Sequence, residues 1–170
     1  MGSDADYLRI ANKEDWSTLR CCKYGPGGHQ QLLGYRTLGA PKGANYLVYS
    51  PKGNPRLLAL NMIDGDDPHF FDPQMIKQGL DFIQDQLDKG QKVLIACNHG
   101  HSRGPIVALM YLRAMGDLPY AFVQAENIFK GIYSHYDPGI GMRQFARTHW
   151  STLARMYGGF EDTDGEERRI

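Results

Sequence analysis

Lys92-Val93-Leu94-Ile95-Ala96-Cys97-Asn98-His99-Gly100-His101-Ser102-Arg103-Gly104-Pro105 leads straight into Ile106-Val107-Ala108-Leu109-Met110-Tyr111-Leu112. The apolar, β-branched run at 93–96 predicts a short buried strand that ends at Cys97. A small loop containing Gly100 follows, and Arg103 stands six positions after the cysteine. A helical pattern then begins at once and runs to about residue 115. Pro105 falls in its first turn, where a missing N–H costs nothing, and Gly116 closes it. Strand, loop and helix in that order put a thiol at the entrance of an anion-binding loop and a guanidinium at its exit.

Those residue types dictate a chemistry. Only the thiolate of a cysteine is nucleophilic, and a helix N-terminus beside a cation favours that form. The backbone N–H groups of Asn98, His99, Gly100, His101, Ser102 and Arg103 can turn inward as an anion nest, reinforced by the helix dipole. Gly100 permits the tight turn this requires. Arg103 offers a planar fork that matches two phosphate oxygens. Donors that hold a phosphoryl group also stabilise the trigonal-bipyramidal transition state of its transfer. The competing reading is a buried structural cysteine at a strand end. The glycine within the loop and the helix directly after it weigh against that.

The remaining chain sets bounds on this reading. A chain of 170 residues makes one domain, taken as residues 1–160 with a charged tail at 161–170. Its 19 basic and 19 acidic residues cancel, so there is no global field for nucleic acid or membrane, and any attraction for phosphate is local. No apolar run is long enough to span a bilayer, and no secretory signal opens the chain. Three cysteines, two of them adjacent at Cys21 and Cys22, form a poor disulfide framework and point to a reducing, cytoplasmic setting.

Along the chain, residues 1–20 are polar, with one short strand expected at 7–10. Residues 24–43 are glycine-rich. They lack a Gly-Lys-Ser/Thr ending and a strand directly before them, so they read as a surface loop. Runs at 45–50 and 56–62 read as two strands joined tightly through Pro51-Lys52-Gly53-Asn54-Pro55. Asp64-Gly65-Asp66-Asp67-Pro68-His69 is an acidic loop. Asp72 and Pro73 then look like an N-cap and first helical residue. Ile76, Leu80, Ile83 and Leu87 form a helical stripe, with Gly90 past its end. Two further helices are expected at 120–133 and 142–157, broken at Asp137-Pro138-Gly139. Strands alternating with helices predict an α/β fold with a central, mostly parallel twisted sheet and helices on both faces.

Cys97-Asn98-His99-Gly100-His101-Ser102-Arg103 resembles the C-x5-R signature of the cysteine-dependent protein tyrosine phosphatase superfamily. Gly100, Ser102-Arg103 and Pro105 look like its dual-specificity branch. Leu60-Asn61-Met62 resembles the segment leading that branch's general-acid loop. Asp66 precedes Cys97 by 31 positions, the spacing usual there. Asp81-Phe82-Ile83 falls in register with the helix before the signature strand. Ala125 and Pro138-Gly139-Ile140-Gly141 resemble the last helices more loosely. The likeness covers about residues 56–150, and the first 50 residues lie outside it.

The resemblance implies a dual-specificity phosphatase-like fold and hydrolysis of phosphate monoesters through a phosphocysteine, without metal or cofactor. Cys97 is then the nucleophile. Arg103 and the loop residues 98–103 bind the phosphoryl group, and Asp66 is the general acid and base. Asp64 and Asp67 compete for that last role. The expected partner is a phosphorylated protein bearing phosphotyrosine, with phosphoserine or phosphothreonine as further substrates.

Two positions depart from the pattern. Ala96 stands where a histidine usually precedes the cysteine. Gly104 stands where a serine or threonine hydroxyl usually helps the thiolate leave the phosphoenzyme, which predicts slow breakdown of the intermediate. Ser102 is a partial substitute only if its hydroxyl points that way. These departures keep alive a non-catalytic phospho-binding module. Cys97-Asn98-His99-Gly100 also resembles the RNA 5′-triphosphatase branch, although Ser102 and Gly104 do not continue it and the neutral charge does not favour RNA. His99 and His101 lack the Cys/His partners of a zinc site. Lys130, Arg143 and Arg147 are candidates for positive charge near the pocket.

Overall fold

The computed structural model describes residues 1–40 and 47–156. The expected tail at 161–170 and the ends of the runs beginning at 45 and reaching 157 lie outside the described residues.

Four strands form one sheet in the order β2-β3-β1-β4: β1 Trp16–Arg20, β2 Val48–Tyr49, β3 Leu57–Leu60 and β4 Lys92–Ala96. β1 sits at the centre and pairs in parallel with β3 and β4. Only β2 is antiparallel, joined to β3 by the tight connection expected at Pro51–Pro55. The register sets Leu19 between Leu58 and Ile95. These three side chains enter the main core with Leu60, Met75, Leu80, Ile83 and Ile106. Burial of each such side chain stabilises the fold by roughly 1.5–3 kcal/mol. Alternate residues Leu94 and Ala96 face the other way, onto Ile10, Tyr7 and Trp16.

Helices cover both faces. α3 Pro73–Asp88 and α4 Arg103–Ala114 lie on the main core side, and α5 Phe122–Ile132 and α6 Ile140–Met156 pack outside α4. α3 starts as its sequence dictates: Asp72 accepts the N–H groups of Gln74 and Met75, and Pro73 occupies the first turn. No helix among the described residues is long and apolar enough to cross a membrane.

Three expectations need correction, all in the amino-terminal part of the chain. Residues 7–10 belong to a helix, α1 Asp4–Ile10, rather than a strand. Ser3 and Asp6 form a reciprocal capping box there, which outweighs the β-like character of Tyr7 and Ile10. The polar stretch 1–20 also hides the central strand β1. Its Thr18 and Arg20 are buried rather than solvated, so apolar patterning gives no signal. The glycine-rich stretch is a loop only in part, because α2 His29–Leu33 interrupts it.

Candidate active site

β4 ends at Ala96 and α4 begins at Arg103, so the loop between them is anchored by a buried strand and a buried helix. Cys97 is buried at its base. Gly100 has φ of +81°, which an L side chain rarely adopts, and a Cβ there would stand 2.9 Å from the Gly2 backbone.

The loop's carbonyls and amides are treated oppositely. Asn98 O accepts the Asp4 N–H, Gly100 O accepts the Tyr133 hydroxyl, His101 O accepts the Asp137 N–H, and Ser102 O accepts the Ile106 N–H. The N–H groups of Asn98, His99, Gly100, His101 and Ser102 make no hydrogen bond with the described residues. A loop with most of its acceptors tied outward while its donors stay free has the polarity of an anion nest.

Arg103 is buried and held on three sides. Its Nη1 donates to Met62 O at 3.1 Å, and its Nη2 donates to Asn98 Oδ1 at 2.8 Å. Asp64 Oδ2 stands 3.4 Å from Nε, an ion pair in which Nε forms no hydrogen bond. Asp64 also accepts the Ser102 hydroxyl at 3.0 Å, and Ser102 Oγ accepts the Gly139 N–H at 2.9 Å. One carboxylate of the acidic loop is thus committed to the end of the Cys97 loop.

Asp66 is exposed, and its carboxylate has no hydrogen bond or ion pair with the described residues. Its backbone is fixed by close approach. A Cβ on Gly141 would fall 2.3 Å from Gly65 O and 2.8 Å from Asp66 C, so the start of α6 presses directly on the acidic loop. Asp67 caps the following 3-10 turn Pro68–Phe70 through the His69 N–H, which together with the His69 ring holds its carboxyl below the usual range.

The other two cysteines sit close by. Cys21 N–H donates to Ala96 O at 2.7 Å, which carries the ladder one step beyond Arg20 and Ala96 and sets Cys21 opposite Cys97. Burial pushes the Cys21 thiol well up, with Cys97 adding to it. Burial likewise raises Cys22 to about 11 against the pull of Arg20 and Arg103. Both stay neutral thiols near pH 7. A Cβ on Gly104 would stand 3.2 Å from Ala96 C and Cys97 N. The missing side chain at that position is therefore what lets α4 approach the strand end.

His99 and His101 stack at 5.7 Å on the rim, with His101 Nδ1 3.3 Å from Asp137 O. Tyr136 and Trp150 are core residues. Arg143 is bound to the buried Glu126 through two hydrogen bonds of 2.7 Å, and Arg147 is exposed on the groove that Pro138 and Ile140 also line.

Three contributors escaped the sequence reading. Asp4 touches Asn98 at 3.2 Å, Arg20 is completely buried against Asp4, and Gly2 pairs with β4 beside Cys97. No motif marks them, because their link to the loop exists only through sheet pairing.

No family model and no curated protein matches the chain. Among solved structures, the human tyrosine phosphatase-like serine/threonine/tyrosine-interacting protein is similar over 88% of this chain and 85% of that one, with a TM-score of 0.55 and 17% identity. At that identity the likeness concerns architecture: this chain has a tyrosine phosphatase-like α/β fold.

Proposed function

We propose that the protein is a cysteine-dependent phosphatase acting on phosphate monoesters, phosphotyrosine on proteins foremost and phosphoserine or phosphothreonine besides, in a cytoplasmic setting. The observation that carries this reading is the polarity of the loop: free amides at 98–102 surround the step from Cys97 to a fixed Arg103. An oxyanion supplies what those donors lack.

In the proposed mechanism the Cys97 thiolate attacks phosphorus in line, the P–O bond to the leaving group breaks, and a phosphocysteine forms. Asp66 donates a proton to the departing oxygen, then accepts one from the water that hydrolyses the thiophosphate. Asp64 is already engaged with Arg103 and the Ser102 hydroxyl, which leaves Asp66 as the carboxyl with no partner among the described residues. Arg103 and the loop amides hold the phosphoryl oxygens through both steps. Acid quenching during turnover, followed by mass spectrometry, tests this. The peptide containing Cys97 should gain one PO3 group, and failure to label it, or labelling of another residue, overturns the reading.

A second reading is a phospho-binding module without turnover. Asp64 supports it, because it already neutralises Arg103, as does the commitment of the Ser102 hydroxyl to the acidic loop. Such a protein would bind a phosphopeptide and never label at Cys97.

A further inference from the structure

The amino-terminal segment lies outside every motif, yet it is built into the candidate site. Gly2 N–H donates to Ile95 O at 3.0 Å, and Gly2 O accepts the Cys97 N–H at 3.2 Å, so residue 2 extends the sheet beyond β4. The chain then turns into α1, and Asp4 arrives between two side chains that do not bond each other directly. On one side is Arg20 of β1, fully buried, with a nitrogen bonded to Asp4 and its cation 4.8 Å from the Tyr7 ring. On the other is Asn98, the first residue of the loop. Asn98 Nδ2 donates to Asp4 Oδ2 at 3.2 Å and to Tyr24 O at 2.9 Å, while its Oδ1 accepts from Arg103 Nη2 at 2.8 Å.

The direction of that amide matters. A primary amide has a donor end and an acceptor end, and only the acceptor end suits a guanidinium, which has no lone pair to offer. The Asp4 carboxylate and the Tyr24 carbonyl are both acceptors, so together they draw the NH2 end of Asn98 away from Arg103. Turned over, Asn98 would set N–H against N–H and push the guanidinium off its plane. Asp4 is itself held in place by Arg20, whose guanidinium makes no other hydrogen bond among the described residues. Arg20, Asp4, Asn98 and Arg103 therefore form one chain of charge-assisted contacts, from the centre of the sheet to the phosphoryl-binding guanidinium.

We infer that Asp4 is a positioning residue for phosphoryl binding: it fixes the Asn98 amide so that Arg103 presents its fork to the loop. The inference rests on reading 97–103 as a phosphoryl-binding loop. Because Arg103 would contact the phosphoryl group before and during reaction, loss of Asp4 should weaken binding more than it slows the chemical step.

The test is tungstate binding by calorimetry alongside p-nitrophenyl phosphate kinetics. Asp4→Ala should weaken tungstate and raise KM about tenfold each, with kcat within about threefold of wild type. Asp4→Asn, which keeps an acceptor for Asn98, should restore most of the affinity. Asn98→Ala should lose as much as Asp4→Ala, and the double variant no more than either, because both act along one path. If Asp4→Ala does not fold, Arg20→Met with Asp4→Ala leaves no unpaired buried charge and carries the same comparison. Unchanged tungstate affinity, or additive losses, overturns the inference. Turnover with no such contrast refutes the positioning role alone. A clear contrast without turnover refutes the catalytic reading alone. A wild-type protein that ignores tungstate refutes both.

Discussion

Ser102 donates its hydroxyl to Asp64 at 3.0 Å, and its oxygen accepts the Gly139 N–H at 2.9 Å. The one hydroxyl in the loop is therefore spent on holding the acidic loop and the start of α6 together. It is not the substitute for the hydroxyl missing at Gly104.

Gly104→Ser should accordingly speed release of phosphate from Cys97 relative to its formation. The side chain meets backbone at 3.2 Å, so the gain comes with a stability loss of about 1–3 kcal/mol. A stopped-flow burst followed by a denaturant titration reads both. A burst of unchanged size and an unchanged steady-state rate would refute this account of the missing hydroxyl.

Asp66→Asn should lower turnover about 10²–10⁴-fold and remove the basic limb of the pH–rate profile. Asp64→Asn should keep that limb and instead alter binding, since it frees Arg103 from its ion pair. Profiles of the two variants with p-nitrophenyl phosphate decide the assignment. Loss of the limb in Asp64→Asn alone would shift the acid by two residues.

Gly141→Ala should separate the two loops functionally. Its methyl group would meet Gly65 O at 2.3 Å and force the acidic loop away from α6. Turnover should fall by a larger factor than tungstate affinity, because the displaced backbone carries Asp66 itself, whereas the Cys97 loop is reached only through the Asp64 contacts. Equal losses of both would mean that the acidic loop also shapes the anion site.

Glu126 ties α5 to α6 through Arg143 and the Tyr136 hydroxyl. Burial opposes its carboxylate, but the hydrogen bonds from Arg143 and Tyr136 outweigh that and hold it below the ordinary value of 4.5. The folded-state value lies below the unfolded one. The stabilisation is therefore fully present above about pH 4.5 and disappears as pH falls through the lowered folded value. Glu126→Gln should cost about 1–3 kcal/mol at pH 7, and the gap in Tm between variant and wild type should close in that acidic window. A gap independent of pH would remove the charge from the explanation.

The strand, loop and helix at 92–114 were legible because three local signals agree there: an apolar run, a glycine, and a proline in a first turn. The α3 start at Asp72 and Pro73 was legible for the same reason, since capping is decided within four residues. The amino-terminal third was not. β1 carries Ser17, Thr18 and Arg20 in the middle of the sheet, and they are tolerated there because Ser17 bonds Gln86 at 2.6 Å and Arg20 bonds Asp4. Those partners lie 69 and 16 positions away, so no window on the sequence could reveal them. The candidate site divides along the same line. Cys97, Arg103 and the donor-rich loop between them follow from local sequence, whereas the Asp64 clasp on Ser102 and the link from Asp4 through Asn98 are properties of tertiary pairing.

The most direct measurement of the central claim is hydrolysis of p-nitrophenyl phosphate in EDTA by the wild-type protein and by Cys97→Ser. Sustained turnover by the wild type is expected with chelator present, and a loss of at least about 10³-fold in the variant with tungstate binding retained. Activity that needs added metal, or survives intact in Cys97→Ser, would contradict that claim.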